Sequence, residues 1–300
     1  MDAAVALLGL GNMGQPIAER LLDADFALTV WNRTAEKARP LVERGAKQLD
    51  SPAEALRDAD ICITSLADDA SLEDVVLSEH GVLAGARPGT TLIDMSTVSV
   101  AASEHIAGRT AQAGLGYLRA PVSGNPTVVR GGTLTIMVSG PEELVQEVRP
   151  VLEAIGPTVL YVGRDEAARV VKLVLQVLIG GTAELLGEAL VLGETAGVDR
   201  EKLLEAIGAS VVGSRFVEYK TQPLLENDYS ATFTTDLMLK DIQLVLDLAS
   251  EHGVDLPFTE RLSALLEDTV DRGHGDEDFI ALFRRLQEAR VSGPTATRDR

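Results

Sequence analysis

The chain has 300 residues, with 27 Lys+Arg against 46 Asp+Glu, a net charge of −19, 45% hydrophobic residues and one cysteine. That apolar share excludes global disorder, and one cysteine excludes an intramolecular disulfide framework and suits a reducing, cytoplasmic setting. The acidic field repels nucleic-acid phosphates, so no nucleic-acid partner is expected. No apolar run reaches about 18 residues, so no membrane-spanning helix and no membrane partner are expected. The apolar start MDAAVALLGLG lacks a basic leader and runs straight into glycines, which reads as a first strand and not a signal peptide. His80, His105, His252 and His274 are scattered without metal-ligand spacing, and no metal site is expected.

The first half alternates strand and helix signals. Residues 4–8 are a short apolar run, 16–22 have helical spacing, 27–31 are apolar again, and 35–43 read as a helix ended by Gly45. Ser51-Pro52 opens a helix before a strand run at 61–66. Gly89 precedes a strand at 90–94, and a helix at 100–113 stops at Gly114. Residues 133–139 are β-branched and alternating, Pro141 opens a helix, and 159–162 form a last short strand. Repeated βα units of this size predict a doubly wound, mostly parallel sheet of the Rossmann kind, an α/β domain.

The second half changes character. Residues 165–193 are helical, very apolar and nearly uninterrupted, a length and all-round apolarity that require burial on several sides. Helical segments follow at 200–207, 214–225, 236–252, 259–271 and 277–288, with no convincing strand after Val162. The expected organisation is a dinucleotide-binding domain over 1–163, an all-helical substrate and dimerisation domain over 164–290 reached through a long interdomain helix, and a frayed tail over 291–300.

Gly9-Leu10-Gly11-Asn12-Met13-Gly14 is a G-x-G-x-x-G that follows a strand and opens a helix, the context that gives this pattern meaning. Gly9 permits the tight turn, Gly11 lets the backbone approach a pyrophosphate, and Gly14 allows close packing of helix on strand. The helix N-terminus then offers N–H groups to phosphate oxygens. About 20 residues on, where an acid would bind the ribose 2′-OH of NAD, stand Asn32, Arg33 and Thr34. A neutral amide, a fork-shaped cation and a hydroxyl fit a 2′-phosphate, which favours NADP over NAD. The alternative for Arg33 is a solvated loop charge or a cation stacked on the adenine, which would not choose between the two cofactors.

The GLGNMG segment resembles the β-hydroxyacid dehydrogenase family, which includes 3-hydroxyisobutyrate dehydrogenases and semialdehyde reductases, and three later segments agree. Ala120-Pro121-Val122-Ser123-Gly124, continuing to Gly132-Thr133-Leu134, is similar to the family's substrate-binding segment. Lys172, followed four residues on by Gln176, stands where the family carries a catalytic lysine and a substrate-binding Asn. Lys240-Asp241 resembles the family's Lys-Asp pair. The resemblance implies reversible hydride transfer between NAD or NADP and a short carboxylate bearing a β-hydroxyl or an aldehyde, in dimers or tetramers supported by the long helix; because that apolar helix needs cover, a homodimer through it is expected. It assigns the coenzyme to residues 9–14 and 32–34, to the Leu66-Ala67 turn, to Thr97 and to Lys240. Three residues depart from the family pattern. Arg119 replaces an Asp, Asn125 replaces a second glycine, and Gln176 replaces the Asn.

Reduction of a carbonyl needs a proton at its oxygen, and Lys172 is the candidate acid, becoming the base in oxidation. It interrupts an apolar run, and Arg169, Lys172 and Gln176 share one helix face by spacing, a polar stripe that fits the lining of a cleft. The competing reading is a lysine that snorkels to solvent or to a carboxylate. Ser123 and Gly124 would bind the substrate carboxylate through a hydroxyl and a bare backbone, or form an ordinary Pro/Gly turn. Gln176 would add an amide donor there, or make a hydrogen bond between helices. Lys240 would place positive charge over coenzyme or substrate, or pair with Asp236 one turn back. Arg119 serves either a second anionic group or a neighbouring acid. Two other functions stay open: an imine reductase of the same architecture, and a non-catalytic NADP-binding sensor.

Overall fold

A computed structural model describes residues 3–291, and the tail read as frayed lies outside the described residues except for its first position. The chain separates into two compact units, Met1–Leu173 and Val174–Arg300.

The first unit runs β1 (Val5–Leu8), α1 (Gly14–Asp23), β2 (Leu28–Trp31), α2 (Arg39–Val42), β3 (Lys47–Gln48), α3 (Pro52–Leu56), β4 (Ile61–Thr64), α4 (Asp69–Leu77), α5 (Val82–Gly85), β5 (Thr91–Asp94) and α6 (Val100–Gln112). It continues with β6 (Gly116–Arg119), β7 (Val122–Ser123), α7 (Pro126–Arg130), β8 (Thr135–Ser139), α8 (Glu142–Ile155) and β9 (Thr158–Gly163). The strand order is β3-β2-β1-β4-β5-β6-β8-β7, with β9 added beside β8. Strands β1 to β6 pair in parallel, while β8 runs antiparallel to β6 and β7. This is a Rossmann-like sheet, and its order reverses between β2 and β4 at β1, where Leu8 is in register with both Trp31 and Thr64. The crevice for a dinucleotide lies at that switch point, beyond the carboxyl ends of the strands.

Helices cover both faces of the sheet, so β1 is buried throughout instead of alternating. Val5 and Leu7 join one cluster with Ile17 and Leu21 of α1, and Ala6 and Leu8 join the other with Leu72 and Ile106. β8 likewise is buried on both faces over Ile136–Ser139 and does not show the alternation expected of it.

The expected helix over 35–43 is split into a tight turn, Ala35–Ala38, and α2. Pro40 stands in the first turn of α2, where its missing N–H costs nothing, and a continuous helix from Ala35 would have needed that donor. β3, β6, β7, α5 and α7 are two to five residues long, too short for a period to show, and α4 is not anticipated either. β6 ends on Arg119, a charge that is buried only because a distant acid neutralises it.

α9 (Ala167–Thr195) opens in the first unit and leads into the second. It is long and apolar enough, by length and composition, to cross a membrane, contrary to the expectation that no segment would be. Its apolarity has a local cause as well. Gly180 faces Met238 and Leu262, Gly187 faces Phe283 and Leu286, and side chains at these positions would meet those neighbours at 3.1–3.4 Å. Those residues come from α12 (Thr235–Glu251), α13 (Pro257–Thr269) and α14 (Ala281–Val291), which with α10 (Arg200–Ala209) and α11 (Arg215–Glu226) are the other α-helices of the unit. Met238, Ile242, Leu262 and Leu266 form one core with Ala183, and Leu204, Val217 and Phe283 form another with Leu186 and Leu190.

No strand follows β9 among the described residues, as expected. The last helix begins at Ala281 and not at 277, because Asp278 holds the preceding segment in place. Its buried carboxylate accepts from Lys220 and Thr232, and its backbone bridges to Thr234.

Candidate active site

The glycine loop connects β1 to α1 at the switch point, and its three glycines differ in what they accommodate. Gly9 has φ +98, and a Cβ there would lie 2.3 Å from the Ser65 carbonyl oxygen. Gly14 packs so closely that a Cβ would lie 1.9 Å from the Gly9 carbonyl oxygen. A Cβ on Gly11 would meet nothing within 4 Å. Two glycines are therefore demanded by the fold, and the third leaves open the space through which a pyrophosphate can approach backbone N–H groups. No side chain caps the N-terminus of α1, so its first turn can offer donors to phosphate oxygens. Asn12 and Met13 complete the loop, Asn12 exposed and Met13 half-buried.

Asn32 secures the loop. Its Oδ1 accepts from the Leu10 N–H at 2.8 Å, and its Nδ2 donates to the Thr34 carbonyl at 2.9 Å. The amide read as a coenzyme contact thus ties the glycine loop to the segment after β2. Arg33 and Thr34 are exposed, as is Lys37 one turn on, a cation that sequence reading passed over. The Leu66-Ala67 turn abuts the loop, with Leu66 N–H bonded to Ser96 Oγ at 3.0 Å. Ser96 in turn precedes Thr97, which is half-buried after β5.

Lys172 lies on the second turn of α9. Its Nζ donates to the Val122 carbonyl at 3.1 Å, which places the ammonium one residue from Ser123 on β7. The lysine is half-buried in this position. Ser123 pairs with Thr135, and Gly124 has φ +146. A Cβ on Gly124 would crowd Val128 at 2.8 Å and Leu134 at 2.9 Å, so this glycine is a packing requirement as well as a candidate for carboxylate approach. Asn125, one of the departures, caps α7 by accepting from Val128 N–H at 3.0 Å. Its side chain serves the turn that presents Ser123 and Gly124.

Two buried ion pairs join the start of α9 to the sheet. Arg119 donates to Glu166, and its guanidinium lies 4.5 Å from the Tyr117 ring centroid. The neighbouring-acid reading of Arg119 is thus the one realised. Arg169 is 1% exposed and pairs with Asp94, which is 0% exposed. It also donates to the Ser96 carbonyl, Ser103 Oγ and Tyr117 OH. Arg169 therefore does not line an open cleft beside Lys172, as its spacing suggested. A guanidinium is buried only where its donors are matched, and here Asp94 and Ser96 at the end of β5, Tyr117 on β6 and Ser103 on α6 match them. Burial, with Asp94 adding to it, pushes the Tyr117 phenol up to about 12.

In the second unit Gln176 is buried, and its Nε2 donates to Asp241, whose carboxylate is also 2.8 Å from Lys240 Nζ. The bland reading for Gln176, a hydrogen bond between helices, is therefore present. Lys240 pairs with the adjacent Asp241, and Asp236 one turn back is exposed at the helix start.

A glycine loop at the switch point of a Rossmann-like sheet, with a lysine and a Ser-Gly turn drawn together nearby, defines a nicotinamide-dinucleotide oxidoreductase. Residues 4–163 match the family described as the NAD binding domain of 6-phosphogluconate dehydrogenase. Residues 167–286 match the family described as the NAD-binding domain of NADP-dependent 3-hydroxyisobutyrate dehydrogenase. The chain is 34% identical to 2-(hydroxymethyl)glutarate dehydrogenase of Eubacterium barkeri, over 93% of each chain. It is 31% identical to the chloroplastic glyoxylate/succinic semialdehyde reductase 2 of Arabidopsis thaliana, over 96% of this chain and 80% of that one. Among solved structures it resembles 3-hydroxyisobutyrate dehydrogenase of Mycobacterium tuberculosis, with a TM-score of 0.85, 29% identity and coverage of 96% and 100%. An imine reductase from Pseudomonas sp. superposes with a TM-score of 0.64 at 26% identity, covering 95% and 100%. The chain belongs to the β-hydroxyacid dehydrogenase family, and it is an NAD(P)-dependent oxidoreductase acting on CH–OH groups.

Proposed function

We propose that the chain is an NADP-preferring reductase and dehydrogenase of short β-hydroxy or semialdehyde carboxylates, with Lys172 as the general acid and base. The observation that carries this reading is the Lys172 ammonium on the Val122 carbonyl, beside the Ser123-Gly124 turn. When bound, the nicotinamide supplies or accepts the hydride. Lys172 gives a proton to the substrate oxygen as the carbonyl is reduced and takes it back when the alcohol is oxidised. Ser123 and Gly124 hold the carboxylate through a hydroxyl and a backbone N–H, and Gln176 and Lys240 add an amide and a positive charge. Arg33, with no acid beside it on β2, reads the 2′-phosphate, and Lys37 lies within the same segment to add charge. Gly9, Gly11, Gly14, Leu66, Ala67 and Thr97 frame the rest of the coenzyme.

The exposed Val174, Leu178, Leu185 and Leu192 follow one stripe of α9 and support a homodimer through that helix. Sedimentation equilibrium tests it, and a monomer refutes it. The single, buried cysteine and the acidic charge support a cytoplasmic protein with a small-molecule substrate and no nucleic-acid partner.

The test is NADPH oxidation with glyoxylate, succinic semialdehyde and one cyclic imine, with NADH controls and Lys172→Ala alongside. Turnover of the carboxylates, abolished in Lys172→Ala with NADPH binding retained, supports the assignment. Wild-type turnover in that variant refutes it, and turnover of the imine alone favours the imine-reductase reading that the Pseudomonas structure raises.

A further inference from the structure

We infer that Arg169 is a positioning residue for Lys172. It locks the lysine-bearing turn of α9 to the loop after β5, and the Arg119–Glu166 pair supplies a second anchor. The inference rests on the assignment of Lys172 as proton donor, and it concerns what holds that donor in place.

The geometry is set by a guanidinium whose three nitrogens are all engaged. Arg169 reaches Asp94 and Tyr117 OH with one terminal nitrogen, the Ser96 carbonyl with the other, and Ser103 Oγ with Nε. Its acceptors are themselves fixed. Asp94 accepts from Thr64 Oγ1 at 2.7 Å and from Ser96 N–H at 3.0 Å, and Tyr117 OH and Ser103 Oγ are 3.2 Å apart. Ser96 also holds the Leu66 turn through its Oγ, so the residue that receives Arg169 is the one that orders the loop flanking the glycine turn. The same guanidinium therefore connects the coenzyme-side loops after β4 and β5 to the helix that carries Lys172, three residues on.

The start of α9 is held at two further points. Glu166 meets Arg119 at the end of β6, and Ser139 Oγ on β8 donates to the Asp165 carbonyl at 2.6 Å and accepts from Ala168 N–H at 3.0 Å. Three strands thus fix the axial position and rotation of the first turn. A bidentate or multidentate guanidinium resists both sliding and rotation, which a point charge does not. Displacement of a proton donor by about 1 Å can cost about a hundredfold in rate, so the anchor is part of what makes the lysine competent.

The decisive variant is Arg169→Lys, which keeps a charge for Asp94 and loses the fork. Asp94→Asn/Arg169→Gln is the second, because it removes both buried charges together while keeping hydrogen-bonding groups. Two readouts are taken on the intact protein, with thermal unfolding confirming the fold. One is steady-state reduction of succinic semialdehyde, with NADPH affinity measured by fluorescence. The other is the labelling rate of Lys172 by an amine-acylating reagent without coenzyme, followed by peptide mass spectrometry. The expected result is a fall in kcat of about tenfold to a hundredfold, with KM and NADPH affinity changed less than about threefold. Lys172 labelling is expected to be several-fold faster as the ammonium leaves the Val122 carbonyl. An unchanged kcat or an unchanged labelling rate in a folded variant overturns the inference. Lys172→Ala, measured in parallel, separates the two failures: if it retains turnover, the assignment of Lys172 falls. If it is inactive while Arg169→Lys matches wild type in either readout, only the positioning role falls.

Discussion

Replacing Gly11 and Gly14 by alanine in turn should separate coenzyme binding from folding within one loop. The Gly14 Cβ would stand 1.9 Å from the Gly9 carbonyl oxygen and 2.9 Å from its carbon, both backbone atoms. Gly9 is held by its own N–H, which donates to the Trp31 carbonyl at 2.9 Å. Relief must come from a shift of α1 against β1, and overpacking of this kind costs roughly 1–3 kcal/mol. For a chain of this size that lowers Tm by roughly 2–4 °C per kcal/mol. Gly11 has open space around its Cβ and no positive φ, so Gly11→Ala should leave the apo protein unchanged or stabilise it by up to about 1 kcal/mol. The same methyl occupies the approach to the pyrophosphate. NADPH at about 100 times its Kd stabilises the wild type by about 2.7 kcal/mol, and in Gly11→Ala most of that gain should vanish. Differential scanning calorimetry with and without NADPH reads both effects. A full NADPH-dependent rise in Tm for Gly11→Ala refutes the role given to the open glycine. An unchanged apo Tm for Gly14→Ala refutes the packing argument.

Arg33→Ala should raise the KM for NADPH at least tenfold, from the loss of charge-assisted bonds worth about 1.5–3 kcal/mol, while leaving NADH unaffected; an equal change with both coenzymes would show that Arg33 does not read the 2′-phosphate. Tyr117 ionises at about 12 instead of 10.0 because it is buried and faces Asp94. The folded protein keeps this proton where the unfolded chain loses it, so its contribution is whole below pH 10 and is lost as pH rises through about 12. Tyr117→Phe should therefore lose stability less steeply between those values in urea titrations, and equal slopes would exclude the linkage. Cys62 is fully buried, and burial together with Asp94 pushes its thiol up. Iodoacetamide at neutral pH should accordingly modify it only on unfolding, and rapid labelling of the native protein would contradict the packing of β4.

Much of the candidate site was legible because its signals are local. A glycine needed for a positive φ, a cation where an acid usually stands, and a lysine within an apolar helix each announce themselves within a few residues. Ser123 and Lys172 could be named from sequence, but their meeting depends on β7 and the start of α9 arriving at one place. Where the reading left alternatives open, at Arg119 and Gln176, or pointed to a cleft, at Arg169, the partner found lay far along the chain. Arg119 finds Glu166 after 47 residues, Gln176 finds Asp241 after 65, and Arg169 finds Asp94 after 75. Spacing on a helix says which side chains share a face, and it does not say what that face meets.

The amino-acid sequence alone determined the alternation of strand and helix, the glycine turn at the end of β1, and the change to an all-helical second half. Hydrophobic periodicity, caps and glycine conformations act between neighbours in the chain. Only the tertiary structure decided which polar groups are spent on holding the protein together. It gave the Asn32 amide to the glycine loop, the Asn125 side chain to the cap of α7, and the Arg169 guanidinium to a buried carboxylate. A buried polar group must be matched wherever the fold carries it, and that match is a property of packed elements, which no local pattern contains.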